Sequence, residues 1–269
     1  LLEIYREFSK ICDRHGLRYS IAEGNAIGVF RHKGFVPWDD DIDVAMPRPD
    51  YEKFKEIAKR ELPPNLVVWD SRDEPSWRYT FGKVQEIRRE RVLEVENAVG
   101  RQQSNGLYID IFVFDGLPAG KLARMIYKWK VLALGCILRF QNSRFRGQTR
   151  AGKIAWLSGG VLSLFWPHTK TAEKTMAALR RQVVSVPFEG AERVWRAGST
   201  NRVTMEFPAD IWNGVTNFEF DEITVPVFDG YDCYLRIQYG DYMKLPPKDK
   251  QVPSHSLAYR NPWWLGPKK

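Results

Sequence analysis

The sequence predicts an α+β fold, a mixed sheet flanked by helices, with a basic helical insertion. Two patterns predict it. Short apolar runs that alternate as strands are interleaved with runs at helical spacing over residues 1–118 and 201–269. Between them, residues 119–200 are dominated by helical patterns and hold the positive charge. The expected organisation is a core at 1–118, a basic helical subdomain at 119–200, and strands and a helix at 201–269 that complete the core. A chain of 269 residues, 43% of them hydrophobic, can bury one large core or two modest ones, which excludes a disordered tail.

The elements follow in order. Residues 2–15 place Leu2, Ile4, Tyr5, Phe8 and Ile11 or Cys12 on one helical face, and His15-Gly16 stops the helix with His15 as a cap. Residues 17–22 read as a strand. Gly24 or Asn25 then caps a short helix carrying Ala26, Ile27, Val29 and Phe30, and residues 42–46 return as a strand. Residues 47–60 continue as a helix with Pro47 at its start. Beyond the turn at Pro63-Pro64, strands are expected at 66–69, 77–84 and 91–95, and again in the apolar run that holds Asp110. Helices are expected at 122–140, 154–166 and 171–184, strands at 206–208, 218–220 and 223–227, and a last helix at 231–239.

The chemistry is concentrated in residues 24–46. Asp39, Asp40, Asp41 and Asp43 stand within five positions and run into the alternation Ile42, Val44, Met46, so the acid run ends inside the protein. On a strand, Asp41 and Asp43 share one face and Ile42 and Val44 the other. Packed carboxylates repel one another, and a hard divalent cation with oxygen ligands, Mg²⁺ or Mn²⁺, cancels that repulsion. Asp110, between Ile109 and Ile111, is a third carboxylate for the same site, as metal ligand, general base or both. As a lone buried charge, its removal is expected to cost the metal-free fold nothing. Upstream, the helix start at Gly24-Asn25 attracts anions, and Arg31, His32 and Lys33 form a cationic loop beside the acids. Hydroxyl-to-phosphate transfer needs this combination of metal, fixed cations and positioning.

The string Arg31-His32-Lys33-Gly34-Phe35-Val36-Pro37-Trp38-Asp39-Asp40-Asp41-Ile42-Asp43 resembles the signature of the LicD family, which includes bacterial phosphocholine transferases and is related to fukutin-type phospho-alditol transferases. Ile109-Asp110-Ile111-Phe112 with Asp115-Gly116 is similar to the family's second block. The block at Tyr239-Gly240-Asp241, the pair Pro246-Pro247 and the late His255 are similar to its C-terminal end. The resemblance implies a nucleotidyltransferase-like fold, a divalent metal, and a CDP-linked alcohol donor, such as CDP-choline, whose phospho-alcohol passes to a glycan hydroxyl. It implies a donor-site role for Lys83 and for His255. Where the family usually has Gly-Thr, this chain has Gly24-Asn25 preceded by Glu23.

Residues 119–185 carry thirteen Lys and Arg against one acid, Glu173, a net +12, so the remainder must be near −4 to give the overall +8. No nucleic-acid-binding motif accompanies these cations, and no nucleic-acid partner is expected. With Trp129, Trp156, Leu157, Leu164, Phe165 and Trp166 interleaved, an anionic membrane surface or an anionic lipid-linked glycan is the expected partner. No apolar run reaches the length of a spanning helix, and the chain opens on an amphipathic helix at Leu1; a segment upstream, an anchor included, stays open. Cys12, Cys136 and Cys233 make neither a zinc spacing nor a disulfide framework. A cytoplasmic protein, peripheral at the inner face of the membrane, is expected. The leading function is metal-dependent transfer of a phospho-alcohol to a cell-surface glycan or its lipid-linked precursor. The alternatives are a nucleotidyltransferase releasing pyrophosphate and a non-catalytic module that binds anionic surfaces.

Overall fold

The computed structural model describes residues 1–73, 79–87, 106–141, 150–166, 168–196 and 205–252. The fold is α+β, and its centre is a mixed seven-stranded sheet. Helix α1 (Leu2–Arg14) buries Ile4, Tyr5, Phe8, Ile11 and Cys12 as one face, as its spacing requires. His15 caps it, and its Nε2 lies 2.8 Å from Glu61 Oε1, which ties the helix end to α3 (Arg48–Glu61). Only Ser20–Ile21 of the expected 17–22 strand form β1, opposite Ala45 and Val44 of β2 (Asp43–Pro47). Ala22 donates to the Asp43 carbonyl at 2.9 Å and then becomes the N-cap of α2 (Glu23–His32), so the strand stops where the helix must start.

Strands β3 (Leu66–Trp69), β4 (Gly82–Glu86) and β5 (Tyr108–Gly116) complete the path β1-β2-β5-β4-β3. The β2–β5 pairing is parallel and the others are antiparallel. Within the expected 77–84 strand, the ladder begins at Gly82; the expected strand at 91–95 lies outside the described residues. Strand β6 (Arg193–Arg196) pairs with β5 and with β7 (Phe207–Pro208), so the chain rejoins the main sheet upstream of residue 200. Asp115 sits within β5, fully buried, and accepts two hydrogen bonds from Arg48 at 2.8 and 2.9 Å.

Helices α4 (Lys121–Gln141), α5 (Arg150–Phe165) and α6 (Ala172–Val183) build a second apolar cluster from Tyr127, Val131, Leu134, Leu138, Met176, Leu179 and Val183. Leu117 and Trp195 belong to the same cluster, which anchors the helices on the end of the sheet. Gly159 meets the Cys136 carbonyl and Gly160 the Phe140 ring, and a Cβ at Gly159 would overlap that carbonyl. Trp156 packs on Phe140 with ring centroids 5.0 Å apart. Among the described residues no helix is long and apolar enough to cross a membrane. The hairpin β8–β9 (Val215–Phe220, Ile223–Phe228) and helix α7 (Tyr231–Tyr239) return to the core, where Phe114, Trp212, Phe228 and Tyr234 form a chain of ring contacts.

Candidate active site

The register of three strands makes the centre of the site. Asp43 of β2 stands opposite Asp110 of β5, and Asp110 stands opposite Lys83 of β4. Paired residues on adjacent strands point to the same face, so Asp43, Asp110 and Lys83 form a row across the sheet. The alternate positions Val44, Ile111, Ile109 and Val84 go to the other face and are fully buried. That alternation is what brings three ionisable groups to one buried spot. Lys83 Nζ lies 2.5 Å from Asp110 Oδ1 and 3.2 Å from the centroid of the Tyr108 ring. Burial pulls the Lys83 ammonium below its ordinary pKa, while Asp110 acts in the opposite direction. Asp110 is therefore not the lone buried charge that the sequence suggests.

The acid run is held against the mouth of this row. Asp41 lies just ahead of β2, and one oxygen of each of Asp39, Asp40 and Asp41 can be found within 4.8 Å of the others. Asn25 fastens the run: its Nδ2 donates to the Asp41 carbonyl at 3.0 Å, and its Oδ1 accepts from the Asp43 amide at 2.6 Å. Neither Gly24 nor Asn25 is the helix cap that the sequence suggests. Helix α2 starts at Glu23, its cap is Ala22, and no side chain caps it. The reason is the greater demand of the acid loop. Asn25 satisfies two backbone groups there, and Gly24 lets the Asp39 carboxylate sit where a Cβ would be.

Glu23 is a second focus that the sequence reading passed over. Its carboxylate accepts from Tyr234 at 2.5 Å, from Tyr239 at 2.9 Å and from Gln238, and Arg196 Nη2 lies 3.0 Å away. Its φ of +50 lies in the left-handed region, which costs a non-glycine residue about 1 kcal/mol or more and is held here by those contacts. Two signals pointed to it: its place beside Gly24-Asn25, and Tyr239 within the Tyr239-Gly240-Asp241 block.

Around these groups lies a cleft of about 790 Å³. Asp39, Asp41 and Asp43 line it with Glu23, Gly24, Arg31 and Trp38 on one side and Tyr239, Asp241, Tyr242, Lys244, Pro246 and Pro247 on the other. Arg31 joins the two sides: its guanidinium lies 5.9 Å from the Trp38 ring and donates to the Tyr242 carbonyl at 3.0 Å. His32 Nε2 accepts from Arg31 Nε at 2.9 Å, and burial with the neighbouring Arg31 charge holds His32 below its ordinary pKa. Lys33 is the left-handed C-cap of α2, exposed, with its carbonyl accepting from Asp221 at 2.8 Å, and it does not line the cleft. Of the expected cations among the described residues, Arg31 alone lines the cleft; Lys83 stands behind it in the row, and Lys244 joins Arg31 there unforeseen. His255 lies outside the described residues.

The electrostatics of the row are those of crowded acids. Asp43 is held well above the usual carboxylate range, by burial first and then by Asp41, Asp110 and Glu23. Its Oδ1 is buried without a hydrogen-bond partner among the described residues. Among the described residues, Asp39, Asp40 and Asp41 are the three carboxylates whose oxygens stand close enough to share one ion. Asp43 and Asp110, which the sequence joins to Asp41, stand beside that group; their donors are oxygens, and a positive charge there would relieve the repulsion that raises Asp43.

The residues of this site fall within matches to known proteins. Residues 16–120, which hold the acid run, Lys83 and Asp110, match the family model described as LicD/FKTN/FKRP, nucleotidyltransferase domain. The chain is 30% identical over 263 residues to the lipopolysaccharide cholinephosphotransferase LicD of Haemophilus influenzae, covering 94% of this chain and 92% of that protein. It is also 28% identical over 57 residues to an uncharacterized protein of Rickettsia typhi, 21% of this chain and 18% of that one. An uncharacterized protein of Rickettsia prowazekii is 26% identical over 57 residues, 21% of each chain. With a relative this similar along nearly its whole length, and with both acid blocks inside the matched domain, the chain belongs to the LicD family.

Proposed function

We propose that the chain transfers a phospho-alcohol, phosphocholine or a close analogue, from a CDP-linked donor to a hydroxyl of a cell-surface glycan or its lipid-linked precursor. The observation that carries the proposal is the in-register Asp43–Asp110 pair, whose Asp43 lines a cleft together with Asp41, Arg31 and Lys244. The Haemophilus relative, named as a lipopolysaccharide cholinephosphotransferase, supports the transferred group and the glycan acceptor.

In this reading Asp41, Asp43 and Asp110 would hold Mg²⁺ or Mn²⁺, which the Asp43 Oδ1, buried without a hydrogen-bond partner among the described residues, supports. A bound ion of that kind neutralises phosphate charge and orients the phosphoryl group. Lys83, 2.5 Å from Asp110, holds that side chain in place from behind. Arg31 and Lys244, joined where Arg31 Nη1 donates to the Lys244 carbonyl at 3.4 Å, both line the cleft and offer positive charge to the donor phosphates. The acceptor oxygen bonds to the phosphorus that carries the alcohol, the bond from that phosphorus to the bridging oxygen breaks, and CMP leaves. The hydroxyl proton passes to a carboxylate of the row, Asp43 being the member that lines the cleft. Positioning of two substrates by fixed groups accounts for most of the acceleration. The net +12 of residues 119–185 suits an anionic, lipid-linked acceptor, and the reading places the chain as a peripheral protein at the cytoplasmic face of the membrane.

The test is product analysis. Purified protein is incubated with CDP-choline, Mn²⁺ and a lipopolysaccharide or lipid-linked glycan acceptor. The expected products are CMP and a glycan carrying phosphocholine in equal amounts. Release of pyrophosphate from a nucleoside triphosphate, with no CMP formed from any CDP-alcohol, would establish the nucleotidyltransferase reading instead.

A further inference from the structure

The helices of the basic segment turn an apolar face to solvent. On α4, Leu122, Met125 and Trp129 recur at helical spacing, and all are at least half exposed. At 3.6 residues per turn, Lys121 and Lys130 fall on the two flanks of that stripe, and both are exposed. On α5 the side against α4 is made of Gly159, Gly160 and Trp156, while Leu157, Leu164 and Phe165 face away at 60%, 79% and 76% exposure. Phe140 meets Trp156 and Cys136 meets Gly159, so the helices run antiparallel and the Leu164 end of α5 lies toward the Trp129 half of α4. Trp156 and Trp166, which the sequence groups with this face, turn inward, onto Phe140 and onto the helical core.

Stripes of large apolar side chains flanked by lysine, on a segment with a net +12 and a single acid, have the makeup of an interfacial membrane surface. We propose that the outward faces of α4 and α5 dock the protein on an anionic lipid bilayer, with Trp129, Leu157, Leu164 and Phe165 entering the acyl boundary and Lys121, Lys130 and Lys153 meeting lipid phosphates. Charge complementarity selects this occupant: a second copy would bring the same positive field against its own. The proposal rests on the membrane placement given above, but its readout is binding and not turnover, so its failure leaves the transfer chemistry standing and the reverse also holds.

The experiment is co-sedimentation of the full chain with vesicles of phosphatidylcholine alone and of phosphatidylcholine mixed with phosphatidylglycerol, at low and high salt. Binding is expected to the anionic vesicles, falling as salt rises. The double variant W129E/L164E, at exposed positions, is expected to lower partition at least about tenfold. Its circular dichroism and melting temperature are expected to match the wild type. K130E/K153E is expected to weaken the preference for anionic over neutral vesicles. Equal binding by W129E/L164E, or no preference for anionic vesicles at low salt, would overturn the proposal. So would a dimer that W129E/L164E dissociates and that ignores vesicles, since the face would then be a contact between copies of this chain.

Discussion

Replacing Asp110 by Asn takes the carboxylate from 2.5 Å beside the Lys83 ammonium in a place where both side chains are nearly inaccessible to water. Removing one member of a buried ion pair costs about 3–5 kcal/mol, because the other charge stays buried. An independent ceiling comes from the lysine itself. It can lose its proton, and at pH 7 that costs a lysine of ordinary pKa about 1.36 × (10.4 − 7.0), or about 4.6 kcal/mol. Asp43 and Asp41 also act on Lys83, so the loss should lie between about 3 kcal/mol and this ceiling. For a chain of this size that corresponds to a fall of about 6–18 °C in melting temperature. At pH 9 the ceiling drops to about 1.9 kcal/mol, so the deficit should shrink as pH rises. The sign is that of a lysine whose folded pKa lies below its unfolded one: the penalty is full at low pH and is relieved on deprotonation. The assay is thermal and urea unfolding of wild type, Asp110→Asn, Lys83→Met and the double variant, in chelator, at pH 7 and pH 9. The double variant should recover at least half of the single losses, with a coupling of about 1.5 kcal/mol or more. If metal-free Asp110→Asn melts within about 2 °C of wild type, a difference of under about 1 kcal/mol, or if its deficit is the same at both pH values, the reasoning from the Lys83 pair is wrong.

Asp43→Asn and Asp41→Asn should lower turnover at least about a hundredfold with the fold intact. Activity within about threefold of wild type at saturating Mn²⁺ would remove the metal assignment. Wild type should gain about 2.7 kcal/mol of stability when Mg²⁺ or Mn²⁺ exceeds its dissociation constant a hundredfold, and Asp43→Asn should lose most of that gain in a melting experiment. Gly24→Ala puts a Cβ into the Asp39 carboxylate and should destabilise by about 1–3 kcal/mol while displacing the acid run, read as a rise in the metal concentration needed for activity. At Asp70, burial acts to raise the carboxyl pKa, but Arg72 and Lys55 outweigh it and hold the group well below the usual range. Its contribution is present above the ordinary carboxylate pKa and is lost as pH falls through the lower folded value, so Asp70→Asn should flatten the acid limb of the stability curve.

Much of the site was legible because its signals are local. Asp39 to Asp43 run into Ile42 and Val44, and Asp110 lies between Ile109 and Ile111; in each case a charge inside an apolar strand needs no tertiary information to be conspicuous. The helix faces followed in the same way, since α1, α3, α4, α6 and α7 match the expected elements to within a residue or two at each end. Strand β6 was missed because Arg193–Arg196 is short, with an arginine at each end, and is strand only through its pairing with β5 and β7.

Periodicity and composition, which are properties of neighbours in the chain, already dictate that carboxylates are carried into a core on strands, that a cationic segment closes the helix before them, and that residues 119–185 are helical and basic. Tertiary structure decided which charges meet. Lys83 reaches Asp110 through an antiparallel register, Arg196 reaches Glu23 from the far strand, and the second wall of the cleft comes from Tyr239 to Pro247, held to α2 by Arg31. Those meetings depend on how distant segments align, and on the low-dielectric interior that makes an unmatched charge expensive, neither of which is written in local spacing.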